Sequence, residues 1–157
     1  SCDILKLLDE ELIINIQGDE PFIDPKDIEN LAQLAKKENA NMVTLYSSLR
    51  SNDLANNDVV KLWLDSNIVK DFSRDVDHLP RKDAKKHIGV YGYKVNFLQK
   101  FIKWKQSENE IKRNLEQMRV MDNGEKIYAI ESSAKYHIGV DTESDLKQAI
   151  EIALDLE

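Results

Sequence analysis

An α/β fold with a mixed sheet is predicted for this chain by three observations. Short apolar runs rich in β-branched residues intermix with amphipathic stretches of helical period. The runs end in Gly, Asn, Asp or Pro, and two of them are separated by only a few polar residues, as in a hairpin. Strands and helices that alternate favour a mostly parallel sheet with helices on both faces, to which the hairpin adds an antiparallel element. With 157 residues, 41% hydrophobic and 32% charged, the chain has the size and composition of a single globular domain, residues 1–157.

Leu12-Ile13-Ile14-Asn15-Ile16 reads as a buried strand, too short to be anything else. It runs directly into Gln17-Gly18-Asp19-Glu20-Pro21, where Gly18 permits a tight or left-handed backbone and Pro21 ends strand pairing. Asp19 and Glu20 thus fall at the carboxyl end of a strand, where open α/β sheets bind ligands. Asp24-Pro25 is a helix start, and Ile28, Leu31, Leu34 and Ala35 mark an amphipathic helix to about Lys37, ended by Asn39-Ala40-Asn41. Met42-Val43-Thr44-Leu45-Tyr46 is the next strand, and 51–57 is polar and turn-like. The runs 59–64 and 68–72 flank Asp65-Ser66-Asn67 as a hairpin.

A polar loop over 74–86 carries Pro80 and a basic cluster, Arg81, Lys82, Lys85 and Lys86. His87-Ile88-Gly89-Val90-Tyr91-Gly92-Tyr93 alternates like a strand, and its two glycines mark close approach by a ligand or another backbone. Residues 95–104 and 111–121 read as helices, the second with Leu115 and Met118 on one face and Asn123-Gly124 as its C-cap. Lys126-Ile127-Tyr128-Ala129-Ile130 is a strand, and a helix follows from Thr142, with Thr142-Glu143-Ser144-Asp145 a loose capping box.

A net charge of −7 argues against wholesale attraction to nucleic acid or to an anionic membrane, so an anionic substrate needs a metal ion or a placed cation. The single cysteine, Cys2, excludes an intrachain disulfide and a cysteine-rich zinc site. No run approaches the roughly 18 apolar residues of a membrane span, and the expected location is the cytoplasm. The chain starts without methionine and almost at once with a core strand, which raises the expectation that the amino-terminal part of the fold is absent.

Asp19 and Glu20 in one segment and Asp141 in Ile138-Gly139-Val140-Asp141-Thr142 are the carboxylates suited to a hard divalent cation. Magnesium commonly takes one or two protein carboxylates and leaves its other positions to water and substrate phosphates. The ordinary alternative is that Asp141 favours the following helix's amino end and Asp19 forms an Asx turn. His78, His87 and His137 are too scattered for a metal triad, and each reads as structural. There is no nucleophile elbow, phosphate-binding Walker loop or dinucleotide fingerprint. On the 111–121 helix, Glu116, Gln117 and Arg119 read as a solvated polar face, or, for Glu116 and Gln117, as partners for vicinal sugar hydroxyls.

Gln17-Gly18-Asp19-Glu20-Pro21, Val60-Lys61 with Leu64-Asp65, Phe72-Ser73-Arg74, His87-Ile88-Gly89-Val90-Tyr91-Gly92-Tyr93, Leu115-Glu116-Gln117-Met118-Arg119, Gly124-Glu125-Lys126-Ile127 and Gly139-Val140-Asp141-Thr142 occur in one order along the chain. In that order they resemble the 3-deoxy-manno-octulosonate cytidylyltransferase (CMP-Kdo synthetase) family. The resemblance implies an α/β nucleotidyltransferase fold of Rossmann-like type, incomplete at the amino-terminal side. It implies a cytoplasmic, dimeric enzyme of lipopolysaccharide biosynthesis that joins CTP and Kdo into CMP-Kdo and pyrophosphate. By motif matching, Asp19 and Asp141 hold Mg2+ at the catalytic centre, and Gln17, Arg74, His87, Tyr91, Glu116 and Gln117 line or support the sugar pocket.

The family's amino-terminal phosphate-gripping loop has no match here, and the Arg81-Lys82 cluster lacks the spacing to replace it. The isolated chain is therefore expected to bind CTP poorly and turn over little. Phe72-Ser73-Arg74 continues into Asp75-Val76-Asp77-His78, more acidic than the family's usual run, which leaves Kdo and an amino-substituted octulosonate both open as the sugar. Two other readings stand beside this one. The first is an inactive remnant, or one half of a two-chain enzyme, that keeps the sugar pocket and dimer surface. The second is a metal-dependent glycosyltransferase, against which the lack of an Asp-x-Asp pair at Asp19 counts.

Overall fold

The computed structural model describes residues 8–76, 80–140 and 142–155. Its strands are β1 Leu12–Asn15, β2 Met42–Ser47, β3 Lys61–Asp65, β4 Ile68–Ser73, β5 Lys85–Lys94 and β6 Ile127–Glu131. Its helices are α1 Pro25–Lys37, α2 Val95–Phe101, α3 Glu108–Arg113, α4 Met118–Asp122 and α5 Glu143–Asp155, with a 3-10 turn at Arg81–Asp83. The strands form one sheet in the order β1-β5-β2-β6-β4-β3, and the start of β5 also pairs with β3 through Lys61 and Leu62.

Among the described residues only β2 and β6 pair in parallel; β5 is antiparallel to β1, β2 and β3, and β4 is antiparallel to β3 and β6. The sheet is mixed, as expected, but its pairing is mostly antiparallel where a mostly parallel one was expected. The cause is β5, which enters from a loop and not from a crossover helix, and so runs against the strands on either side of it. Opposite Thr44 and Leu45 the register slips, leaving Gly89 and Val90 of β5 as a bulge.

Alternation along the strands builds two apolar layers. Val43, Leu45, Ile88 and Val90 meet Leu31, Leu34 and Ala35 of α1 on one face. Met42, Leu62, Phe72, Ile127 and Ala129 meet Phe97 and Phe101 of α2, Leu115, and Met118 and Val120 of α4 on the other. Helices therefore cover both faces, as expected. Asp24 caps α1 by accepting from the Lys26 N–H at 2.8 Å, with Pro25 opening the helix. Thr142 and Asp145 cap α5 reciprocally through 2.8 and 3.2 Å bonds.

Two expectations fail locally. The apolar run in β1 is half-buried, not buried, because the strand lies at the sheet edge, and Ile16 beyond it is 43% exposed. Gly18, by contrast, takes the tight-turn alternative, with the Glu20 N–H on the Gln17 carbonyl at 3.2 Å, and not the left-handed one, which among the described residues Asn39, Ser66, Asn114 and Gly124 use. The helix expected over 111–121 is broken at Asn114 (φ 52°, ψ 48°), which ends α3 in a left-handed cap. Leu115 and Met118 are buried as expected, but Glu116 and Gln117 sit on the turn between α3 and α4.

Candidate functional site

A cleft of about 820 Å³ opens across the cleft-facing side of β5. Its floor is His87, Gly89 and Tyr91; Gln17, Asp19 and Glu20 form one wall after β1, and the 114–117 turn forms another. The loop at Asn56, Asp58, Val59 and Val60, with Arg74 after β4, closes one end, and the stretch from His137 to Gly139 with the start of α5 closes the other. The sequence-predicted residues Gln17, Asp19, Arg74, His87, Tyr91, Glu116 and Gln117 all line this one cleft, although they derive from four separated stretches of chain. Asp141 and His78 lie outside the described residues, as does Cys2.

The floor is neutral and aromatic. Thr44 Oγ1 donates to the Val90 carbonyl at 2.8 Å, so with its one proton committed it accepts from Nε2–H of His87 at 3.0 Å. Burial pushes the His87 imidazole down to about 3, so the ring is neutral at ordinary pH with Nδ1 as an acceptor. Its ring packs edge-on to Phe72 at 5.2 Å and against Tyr91 at 5.3 Å. Tyr91 and Tyr93 stack at 5.8 Å, and burial, with each other's and Glu116's charge added, holds the Tyr91 phenol well above its usual range. A floor of this kind offers hydrogen-bond donors and flat apolar surface without charge.

The two glycines of β5 have different causes. A Cβ at Gly89 would meet Gln17 Oε1 at 3.0 Å, so this position leaves room for the Gln17 side chain in the cleft. A Cβ at Gly92 would stand 2.7 Å from Val43 Cγ2 and serves close packing on the α1 side. Side chains, not a second backbone, account for both.

A buried lysine and a half-buried arginine fix the loop wall. Lys61 is fully buried and donates from Nζ to the carbonyls of Asn56 at 2.5 Å and Arg74 at 2.8 Å. Desolvation lowers its pKa. The Arg74 guanidinium in turn donates to the carbonyls of Asn57 at 3.2 Å and Asp58 at 2.9 Å. Together they clamp 56–58 to the end of β4.

The 114–117 turn is braced from behind. Ser107 and Glu110 form a capping box on α3. Arg119 of α4 makes two bonds to the Glu110 carboxylate, at 2.7 and 2.5 Å, and lies 4.7 Å over the Phe101 ring. Arg119 is thus an internal strut and not part of a solvated face. The turn it supports sets Gln117 into the wall at 6% exposure, yet the Gln117 amide spends no hydrogen bond among the described residues. An amide held still with donors and acceptor free suits a polyhydroxylated ligand.

The Asp19 carboxylate likewise accepts no hydrogen bond among the described residues, so the Asx-turn alternative is not what is observed. The Asp19 carbonyl accepts from the Val140 N–H at 2.8 Å, which ties the segment before Asp141 to the segment after β1. No group of three or more His, Cys, Asp or Glu able to hold a metal occurs among the described residues. A single free carboxylate joined by its backbone to the residue before a second aspartate suits a cation that leaves most positions to water and substrate oxygens. Sequence reasoning did not place Arg50, Asp58, Lys86, Asn114 or His137 on the cleft. Only Lys86 had left a signal, as a member of the basic cluster.

The family model described as Cytidylyltransferase matches residues 1–127. The chain belongs to the cytidylyltransferase family. Among curated relatives, the 3-deoxy-manno-octulosonate cytidylyltransferase of Idiomarina loihiensis is 35% identical, over 96% of this chain and 66% of the relative. The enzyme of that name from Fusobacterium nucleatum is 39% identical, over 92% of this chain and 62% of its own length. A solved CMP:2-keto-3-deoxy-manno-octonic acid synthetase complexed with CTP matches with a TM-score of 0.85 at 28% identity, over 99% of this chain and 66% of that one. A glucose-1-phosphate thymidylyltransferase structure from Bacillus anthracis shares the fold, at a TM-score of 0.67 and 15% identity. The cytidylyltransferase chain thus spans just under two thirds of the length of these curated relatives. Among its described residues no helix is long and apolar enough to cross a membrane.

Proposed function

We propose that the cleft receives Kdo, or a close octulosonate, and that this chain takes part in joining the sugar to CTP to give CMP-Kdo and pyrophosphate for lipopolysaccharide synthesis. The observation that carries the reading is Gln117: a wall-mounted amide whose hydrogen bonds are unspent among the described residues, in a cleft that it lines together with a neutral aromatic floor and Gln17. A sugar needs many directional neutral partners and a flat face to rest on, and the cleft supplies both.

In this reading Gln17, Gln117 and Glu116 hydrogen-bond the sugar hydroxyls, while Tyr91 and neutral His87 fix the ring's orientation from below. Arg74, held by the Asn57 and Asp58 carbonyls, keeps the end wall in register with the sugar. Asp19 and Asp141 would hold Mg2+. When bound, the ion would neutralise the triphosphate and favour ionisation of the anomeric hydroxyl that attacks the α-phosphorus. The chain's own contribution is position: it holds the sugar hydroxyl beside the Asp19 carboxylate and keeps water out from beneath the ring.

The test is pyrophosphate release from CTP, Kdo and Mg2+, together with calorimetric titration of Kdo alone. Saturable Kdo binding that weakens in Gln117→Ala, and pyrophosphate release that disappears in Asp19→Ala, are expected. Kdo binding unaffected by Gln117→Ala contradicts the sugar site, and release that survives Asp19→Ala contradicts the metal assignment.

A second reading, one part of a two-chain or dimeric enzyme, draws on α5. Leu146, Ile150 and Leu154 recur along one face at 50%, 51% and 66% exposure, and Ala149 alone of that helix is buried. Size-exclusion chromatography separates the cases: a monomer that turns over by itself rules the second one out.

A further inference from the structure

Beside the main cleft lies a smaller chamber of about 240 Å³ at the carboxyl ends of the parallel pair β2 and β6. It shares Arg50, Lys86 and His137 with the cleft, but none of these is among the residues assigned to the sugar. Ser47, Ser48 and Arg50 line it from the end of β2, Lys86 from β5, and Ser132, Lys135 and His137 from the stretch after β6. In a chain of net charge −7 this wall gathers an arginine, two lysines and a histidine against the single carboxylate of Glu131. Neither Arg50 nor Lys86 has a carboxylate partner among the described residues; Lys86 Nζ reaches only the His137 carbonyl, at 3.2 Å. The hydroxyls of Ser47 and Ser48 are likewise uncommitted.

The chamber's floor is fixed. The carboxylate of Asp27, fully buried at the start of α1, accepts from the Ser132 hydroxyl and from the Ser133 N–H at 2.6 Å. The stretch after β6 is thereby held in place before any ligand arrives. In contrast, Nδ1 of His137 is buried with no hydrogen-bond partner among the described residues, and an unpaired buried polar atom calls for an explanation.

We propose that this chamber binds a small, multiply charged oxyanion of the phosphate type. Cations on three separate stretches, of which Arg50 and Lys86 have no carboxylate partner among the described residues while Lys135 lies 5.0 Å over the Tyr136 ring, with hydroxyl donors between them, match an acceptor that presents oxygens in several directions. The His137 environment agrees. Burial depresses its pKa and Lys86 on β5 with Arg50 after β2 lower it further, while Asp27 on α1 and the Ala134 backbone raise it. An anion seated between Lys86 and Arg50 offsets their repulsion and lets the imidazole take up a proton.

The experiment is an amide-shift titration of the intact chain by heteronuclear NMR with inorganic phosphate, pyrophosphate and Kdo in separate arms. Saturable shifts at Ser47, Ser48, Ala134 and Lys135 with phosphate or pyrophosphate are expected, with a rise in the His137 titration midpoint. Tighter binding of pyrophosphate points to a diphosphate source and equal binding to a monophosphate; both support the site. The Lys86→Gln/Lys135→Gln variant should weaken binding about tenfold or more, whereas Arg81→Gln/Lys82→Gln, in the same basic cluster but off the chamber, should bind as the parent does. An unchanged thermal midpoint shows that either variant is folded. Absence of saturable shifts overturns the proposal, as do shifts confined to Gln17, Arg74 and Tyr91, or Kdo moving the chamber amides in preference to phosphate. None of these results depends on whether the main cleft binds the sugar.

Discussion

Alanine at Gly92 and at Gly89 should have opposite effects, although the two glycines are three residues apart on one strand. At Gly92 the new Cβ meets Val43 Cγ2 at 2.7 Å and both Leu12 Cδ atoms at 3.5 Å. Val43 is fully buried and stiff at χ1, so it cannot swing aside. Overpacking of this kind costs roughly 1–3 kcal/mol. The lower entropy of the unfolded alanine chain returns about 0.4–1 kcal/mol, which leaves a net loss of about 1–2 kcal/mol and a fall of ~2–8 °C in the thermal midpoint. At Gly89 the new Cβ stands 3.0 Å from Gln17 Oε1, the far end of an exposed, flexible side chain, and neither glycine has a positive φ. Gly89→Ala should therefore keep its midpoint, but it pushes Gln17 out of the cleft. One lost hydrogen bond corresponds to a roughly 2- to 10-fold weaker Kdo complex. Thermal denaturation followed by circular dichroism, with calorimetric Kdo titration, reads both effects. A stable Gly92→Ala protein, or a Gly89→Ala protein with unchanged sugar affinity, refutes the assignment of the two faces of β5.

Three further outcomes follow from the same contacts. His87 has a folded pKa near 3, below its unfolded value, so its contribution is complete above pH ~6.5 and falls by up to about 1.4 kcal/mol per pH unit as the pH drops toward 3; urea titrations of the parent and His87→Asn should diverge in that window, and parallel curves contradict the burial. Glu110→Ala leaves the Arg119 guanidinium, 12% exposed, with only the longer 3.6 Å ion pair to the exposed Glu116; a loss of about 2–4 kcal/mol is expected by chemical denaturation, and one under about 1 kcal/mol shows that the strut behind the 114–117 turn is unimportant. Lys61→Met removes both bonds of the buried ammonium but also its desolvation cost, so a net loss of about 1–3 kcal/mol is expected together with faster amide exchange across 56–58; unchanged exchange there contradicts the clamp.

What the sequence made legible was local. Asp24-Pro25 and Thr142 start the two longest helices as their capping chemistry requires, and Asp65-Ser66-Asn67 joins β3 to β4 with Ser66 at φ 58°. The 111–121 period misled because Leu115 and Met118 satisfy both one helix and two short helices that share a buried side; the difference is the left-handed Asn114, a residue type that tolerates that conformation without requiring it. Strand order was hidden as well, since nothing in His87–Tyr93 says that it runs against both its neighbours. The cleft residues found in advance were those inside short motifs. Arg50, Lys86 and His137 escaped because only the pairing of β2, β5 and β6 brings residues so distant in sequence to one edge.

The most direct test of the central claim is an amide and imidazole shift map recorded as Kdo is added to the intact chain. The account predicts saturable shifts that cluster at Gln17, Gly89, Tyr91, Glu116 and Gln117, with the His87 ring signals moving in step. Saturation with shifts elsewhere, or no binding by a folded chain, would mean that this cleft is not the sugar site.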